Sequence, residues 1–318
     1  MRFDPSELSV AELRHRLLAH SRPVPARTMA YLEADPRQGA RDLYGILCKR
    51  RVVERAKTAH LKQMLAFERG WWSQGHTAIA GVDEVGTGPL AGPVIAAAVV
   101  FPPGTAFAGV DDSKRLTPAE REAAAEVIRA RATGIGIGAA CVEEIDRLNV
   151  YHAALLAMRR AVEALPQPPE RVVVDARVIP GIAIPQEALP QADARVFCVA
   201  AASIIAKTYR DALMDDLDAV FPAYGFRSHK GYATPDHQEA VRRHGPCPAH
   251  RASFGYIRQL CGQYAAVFYE LQVQLETVRD AQGVGALARE IDQCRAALTD
   301  AERSKLLVLL ARRRRRFA

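Results

Sequence analysis

Thr77-Ala78-Ile79-Ala80-Gly81-Val82-Asp83-Glu84-Val85-Gly86-Thr87-Gly88-Pro89 is the stretch whose reading decides the fold. Its first half is short, apolar and bounded by glycine, which predicts a buried strand. The strand ends on two adjacent carboxylates, Asp83 and Glu84. Neighbours on a regular strand point to opposite faces, so both serve one site only where the strand ends or kinks. Gly86-Thr87-Gly88-Pro89 supplies that irregularity and leaves backbone N–H groups open to a phosphate or sugar. A solvated acidic turn has the same composition, so these residues alone leave both readings open.

Working outward, residues 93–101 predict a second strand paired with the first. Thr117-Pro118-Ala119-Glu120 caps a helix, 134–142 is a strand, and Asn149 caps a helix running to about residue 165. Arg171–Asp175 is a buried strand that closes on an acid. Residues 196–207 run into a helix that continues to about 220, and Thr234-Pro235 caps another. Strands followed by capped helices predict an α/β domain over residues 76–258, with helices packed on a mixed sheet.

Both flanks read as helical. Within residues 1–75, Ser9-Val10-Ala11-Glu12 is a capping box. Asp35-Pro36 predicts an N-cap and first-turn proline opening a long helix through Leu65, and Trp71 and Trp72 pack the boundary. Within 259–318, Tyr264, Val267, Phe268, Leu271, Leu275 and Val278 form one apolar stripe, expected to cover the α/β domain. Gln282-Gly283-Val284-Gly285 predicts a break. Thr299-Asp300-Ala301-Glu302 is another capping box, opening a helix that ends in the arginines 312–316.

Composition narrows the class. The chain has 318 residues, 49% apolar and 25% charged, ordinary for a globular protein and too apolar for wholesale disorder. No apolar run approaches the ~20 residues of a membrane span, and no export signal is apparent, so a cytoplasmic protein is expected. The six cysteines are scattered without a CxxC pair, which predicts reduced thiols. The net charge of +7 is unevenly spread: residues 1–75 carry 14 Lys or Arg against 8 Asp or Glu, and 312–316 are five arginines. The middle is therefore slightly acidic. Basic flanks suit a polyanion, and an acidic middle suits divalent metals; solvated surface is the plainer reading of both.

Two further acids have strategic places. Asp175 ends a buried strand, at the rim where α/β proteins place ligands, though a turn acid would stand there too. Asp193 precedes Ala200-Ala201-Ala202-Ser203-Ile204-Ile205-Ala206-Lys207, a helix whose small residues allow close packing on the sheet. Four converging acids would bind two Mg²⁺ or Mn²⁺ ions. Cys247-Pro248-Ala249-His250 is half a zinc spacing without its partner half. Arg195, Arg227, Arg242 and Arg243 read as surface charge or as a duplex groove.

These motifs, together with Asp112-Ser113-Lys114, His229-Lys230-Gly231-Tyr232-Ala233-Thr234 and His250-Arg251-Ala252-Ser253-Phe254, make residues 77–258 resemble bacterial ribonuclease HII, the type 2 ribonuclease H that attacks RNA in duplex with DNA. The resemblance implies a ribonuclease H-like mixed sheet flanked by helices. It implies Asp83, Glu84, Asp175 and Asp193 as catalytic acids holding two Mn²⁺ or Mg²⁺ ions, and products with 5′-phosphate and 3′-hydroxyl ends. Lys114, Lys207 and Lys230 would hold phosphates, while Gly86, Thr87, Gly88 and Tyr232 would meet the ribose. The implied partners are RNA–DNA hybrids and ribonucleotide-containing DNA, in ribonucleotide excision repair and replication, with the protein expected to act as a monomer away from membranes.

Two departures stand out. The family usually has Gly-Arg-Gly where this chain has Gly86-Thr87-Gly88, which resembles the type 3 enzyme that prefers runs of ribonucleotides. Lys230-Gly231-Tyr232 and the helical N-terminal segment are type 2 in character. Ala192 precedes Asp193 where a glycine is more usual. A non-cleaving hybrid-binding protein is the alternative from another class, and the presence of all four acids argues against it. The C-terminal extension resembles no family, and its arginines are either a second nucleic-acid grip or a solvated tail.

Overall fold

The computed structural model describes residues 5–19, 23–260 and 265–317. Helices α1 (Val10–Leu18) and α2 (Ala26–Ala34) pack against the first half of α3 (Gln38–Met64) around Leu13, Leu17, Leu32, Leu43 and Leu47. The Ser9 capping box forms as expected. The expected cap at Asp35 does not: Asp35 closes α2, and α3 opens at Gln38. Pro36 disfavours helical geometry at the residue before it. The Asp35 carboxylate instead accepts from the backbone and guanidinium of Arg37, which hold its pKa down to about 2. Beyond this small core α3 is exposed on all sides over residues 51–59. Its end and α4 (Ala66–Trp72) rejoin the body of the molecule through Met64, Leu65 and Trp71.

The body begins with β1 (Ile79–Val85) and β2 (Val94–Val100), followed by α5 (Pro118–Arg131), β3 (Gly134–Ala140), α6 (Val142–Leu148), α7 (Val150–Glu163), β4 (Arg171–Asp175), β5 (Gln186–Leu189) and α8 (Phe197–Val220). The five strands form one mixed sheet in the order β3-β2-β1-β4-β5. β2 runs antiparallel to both β1 and β3, whereas β1, β4 and β5 are parallel. Strand alternation divides the core in two. Ile95, Ala97, Val99 and Val173 face α5 and α8, while Ala96, Ala98, Val172 and Val174 face α7. Gly81 lets α8 lie directly on β1, since a Cβ there would stand 2.2 Å from the Cys198 carbonyl carbon.

Short helices α9 (Phe226–His229), α10 (Pro235–His244) and α11 (Gly255–Leu260) complete the body, and α12 (Ala266–Thr277), α13 (Ala281–Gln293) and α14 (Asp300–Phe317) follow. The apolar stripe of α12 does not cover the sheet domain. Phe268, Leu271 and Leu275 close on Val284, Leu287, Ile291, Leu306 and Leu310 of α13 and α14, forming a separate core; Tyr264 lies outside the described residues. The expected glycine break also falls elsewhere. Residues 282–285 lie within α13, whose first turn is capped by the Asp280 carboxylate accepting from Gly283 N–H at 2.6 Å. The arginines 312–316 continue α14 as helix. Among the described residues no helix is long and apolar enough to cross a membrane.

Candidate active site

The parallel register of β1 and β4 ends at the pair Val82 and Val174, so Asp83 and Asp175 stand one step beyond it, side by side at the sheet rim. Asp83 lies on the α8 face, buried, accepting from the Ser203 hydroxyl and, at 2.8 Å, from its neighbour's N–H. Glu84 turns to the other face. Its Oε1 meets the Arg177 guanidinium at 2.9 Å, while its Oε2 is buried and accepts no hydrogen bond from a described residue. Asp193 sits in the helical turn Ala192–Ala194. That turn is tied to β4 by Ala192 N–H donating to Asp175 Oδ1 at 2.8 Å. Lys114 closes the group, donating to Asp193 Oδ2 at 3.0 Å.

Asp83, Glu84 and Asp175 all have raised proton affinity beside one another and Asp193. Burial pushes Asp83 well above the ordinary carboxylate range, and the charges of Glu84, Asp175 and Asp193 add to it. Burial also raises Glu84, against the opposing charge of Arg177. Asp175 is raised by burial, with the Ala192 N–H opposing. The hydrogen bond to Asp193 raises Lys114. Such a cluster calls for positive charge, and its donors are all oxygen, the set preferred by Mg²⁺ and Mn²⁺. The unpartnered Glu84 Oε2 is an oxygen left available for such an ion. The acids fit divalent ions in kind, though among the described residues no three His, Cys, Asp or Glu side chains close to ligand spacing. Lys114 and Arg177 occupy two of the carboxylates instead.

The glycine-rich loop is held from behind. Gly86 has φ +88°, and a Cβ would stand 2.2 Å from Arg210 Nε, so glycine is required there. Arg251 donates to the carbonyls of Gly86 at 2.6 Å and Thr87 at 3.3 Å. Gly88 faces the Tyr232 ring: a Cβ at this position would stand 3.7 Å from Tyr232 Cε1, so the loop and the tyrosine share one surface. Lys207 and Lys230 converge elsewhere on one helix face: Lys207 pairs with Asp211 at 2.6 Å, and Lys230 pairs with Asp215 and donates to the Asp211 carbonyl at 3.2 Å. Lys114 stands apart from them, among the acids.

Sequence reasoning misses Arg177, Arg210 and Asp211. Ala176, with φ +56°, turns Arg177 back towards Glu84 and over the Tyr151 ring at 5.1 Å. Nothing local signals an ion pair that spans 93 residues. Ser203 lies within the small-residue motif, but its bond to Asp83 depends on how α8 docks. Gln191, just before the turn that carries Asp193, adopts φ +57°, a left-handed conformation ordinarily favouring glycine.

Residues 80–257 match the family model described as Ribonuclease HII. Ribonuclease HII of Myxococcus xanthus (strain DK1622) is 47% identical over 257 residues, covering 80% of this chain and 88% of that protein. Ribonuclease HII of Anaeromyxobacter sp. (strain Fw109-5) is 48% identical over 259 residues, with 81% and 82% covered. Among solved structures, the ribonuclease H2 from Pyrococcus horikoshii OT3 aligns with a TM-score of 0.50 at 26% identity, covering 58% of this chain and 97% of that one.

Proposed function

Since the chain belongs to the ribonuclease HII family and is an endoribonuclease acting on RNA–DNA hybrids, we propose that Asp83, Glu84, Asp175 and Asp193 are its catalytic acids and together hold two divalent ions, Mn²⁺ or Mg²⁺. The observation that carries this reading is the placement of Asp83 and Glu84 at the end of β1 beside Asp175 at the end of β4, with the turn bearing Asp193 tied to Asp175 through Ala192 N–H. When bound, such ions supply a water of lowered pKa and stabilise a leaving O3′ oxygen. The chain's residues do the rest. Ser203 orients Asp83, Ala192 N–H orients Asp175, and Lys114 and Arg177 exchange carboxylate partners for phosphate oxygens as substrate enters. Lys207 and Lys230 hold backbone phosphates farther along the duplex. Gly86, Thr87 and Gly88 present backbone to the ribose, and Tyr232 packs beside it, where the 2′-hydroxyl distinguishes RNA from DNA.

The finer reading is that a single ribonucleotide embedded in DNA is cut as well as a long hybrid, leaving 5′-phosphate and 3′-hydroxyl ends. The support is the shared surface of Gly88 and Tyr232, which presents contacts for one sugar without needing an arginine at position 87. The protein would then serve ribonucleotide excision repair, as a cytoplasmic monomer built from a helical segment 1–75, a catalytic domain 76–258 and a helical segment 259–318. Two duplexes test this with Mg²⁺ and with Mn²⁺, one carrying a lone ribonucleotide and one an RNA strand on DNA. Both are expected to be cut, and Asp193→Asn should slow cutting more than about a hundredfold while binding persists. Cleavage of the long hybrid alone would assign the type 3 preference. An Asp193→Asn protein that cuts normally would remove that acid from the site.

A further inference from the structure

The central part of α3 takes no part in the core. Residues 51–59 are exposed all round, between the N-terminal core and the body of the molecule. Over 49–62 the helix carries six Lys or Arg against the one acid Glu54. Arg51, Arg55 and Lys62 lie within about 40° of one another on a helix of 3.6 residues per turn, in one stripe about 16 Å long. None of the three is ion-paired with a described residue. A solvated helix usually interleaves acids at i+3 and i+4 to offset such a charge, and here only Glu54 does so against six bases.

The helix is rooted beside the active site through the face opposite the stripe. His60 Nε2 is 3.3 Å from Asp111 Oδ1, and Asp111 opens the loop whose Lys114 reaches Asp193. Lys57 interacts with Glu120 at the head of α5. Arg51, Arg55 and Lys62 thus face solvent, where a polyanion can reach them. A membrane surface fits the stretch less well, because residues 49–60 contain no Leu, Ile, Phe or Trp to enter a bilayer.

We propose that residues 49–62 of α3 are a grip for the backbone of the double-stranded substrate, with Arg51, Arg55 and Lys62 taking phosphates of one strand. At about 3.4 Å per phosphate on a strand, the stripe covers about five of them. The contact is indifferent to sequence and adds affinity outside the catalytic cleft. This grip rests on the hybrid-cutting reading above.

The test uses full-length Asp193→Asn protein, with and without Arg51→Gln, Arg55→Gln and Lys62→Gln. Hybrid binding is followed by anisotropy between about 50 and about 200 mM salt, where each lost phosphate contact flattens the slope of log affinity against log salt by about 0.9. The triple variant should lose about two to three units of slope. Arg51→Lys with Arg55→Lys should keep it, as should the distant set Arg14→Gln, Arg27→Gln and Arg41→Gln. An unchanged slope in a triple variant, beside wild-type protein that cuts hybrid, overturns the grip and leaves the proposed function standing. Wild-type protein that neither binds nor cuts hybrid overturns both. Retained hybrid slope with lost binding to phosphatidylglycerol vesicles overturns the grip in favour of a membrane contact.

Discussion

Arg210 and Arg251 have no exposed surface and no carboxylate partner among the described residues. Each is neutralised instead by backbone carbonyls. Arg210 takes those of Ala91, Pro93 and Lys230, and Arg251 those of Gly86, Thr87 and Gly92. Burial lowers Arg251 to about 9, still charged at neutral pH. Together the two side chains set the glycine-rich loop that follows β1. Truncating Arg251 to methionine strands buried acceptors, so Arg251→Met is expected to lower the unfolding free energy by about 3 kcal/mol in urea titrations. Arg251→Lys should not restore it, because an ammonium lacks the planar fork. A loss below about 1 kcal/mol would show that these carbonyls find other partners. Arg251 is visible in a sequence motif, but its role is not, since its partners lie 159 to 165 residues away.

At the scale of elements, α9, α10 and the segment before α11 are pinned together by three histidines: His229 of α9 stacks on His237 with ring centroids 4.2 Å apart, and His237 meets His250. His237 Nδ1 lies 2.7 Å from the Tyr232 carbonyl, which only accepts, so Nδ1 carries the proton. Its Nε2 must then accept from His250 Nε2 at 3.1 Å, and His250 Nδ1 accepts from Cys247 N–H at 3.0 Å. The chain of bonds closes only with both rings neutral. Burial accordingly lowers both to about 4. Unfolded histidine titrates near 6.5, so between 6.5 and about 4 the unfolded chain binds more protons. Stability is thus full above 6.5 and falls as pH drops towards 4, by an amount on the order of 3 kcal/mol per ring. The raised carboxylates Asp83, Glu84 and Asp175 pull the opposite way, so the informative quantity is the difference from His250→Gln. Urea midpoints from pH 7.5 to 5 should fall more steeply for wild type than for this variant; parallel profiles would refute the assignment.

Why some elements are legible follows from the same local physics. β1 carries its signal in its own residues, as do the caps at Ser9, Thr117, Asn149, Thr234 and Thr299. β5 does not. Gln186–Leu189 is half-buried at the sheet edge and is a strand only because β4 offers it a parallel partner. The stripe on α12 is apolar as its spacing predicts, but periodicity says that a face is buried and not what buries it. Gly283 reads as a breaker and is not one, because a glycine in the first turn costs little once Asp280 caps its N–H.

Over the whole molecule, the four acids proposed for the site are already named by sequence and resemblance, whereas the arrangement of the flanks requires the structure. The family match ends at residue 257, and the helices beyond bury their apolar faces largely in one another. That arrangement predicts separate melting. Leu306 is fully buried in the C-terminal core, and Leu306→Ala should cost that unit about 2–4 kcal/mol. A calorimetric scan should show an early transition moving down while the main one, and the rate of hybrid cleavage at saturating substrate, stay in place. A single transition that shifts as a whole would mean that the two cores unfold together.

The carbonyl clamps also have a consequence in time. A chain emerges from the ribosome N-terminus first, so Asp83 and Glu84 appear long before the side chains that set the loop beside them. Arg210 follows Pro93 by 117 residues, and Arg251 follows Gly86 by 165. A nascent chain therefore exposes its acids without a finished loop until nearly the whole catalytic domain has left the exit tunnel. On the assignment of the acids proposed above, synthesis itself keeps the half-made chain inactive.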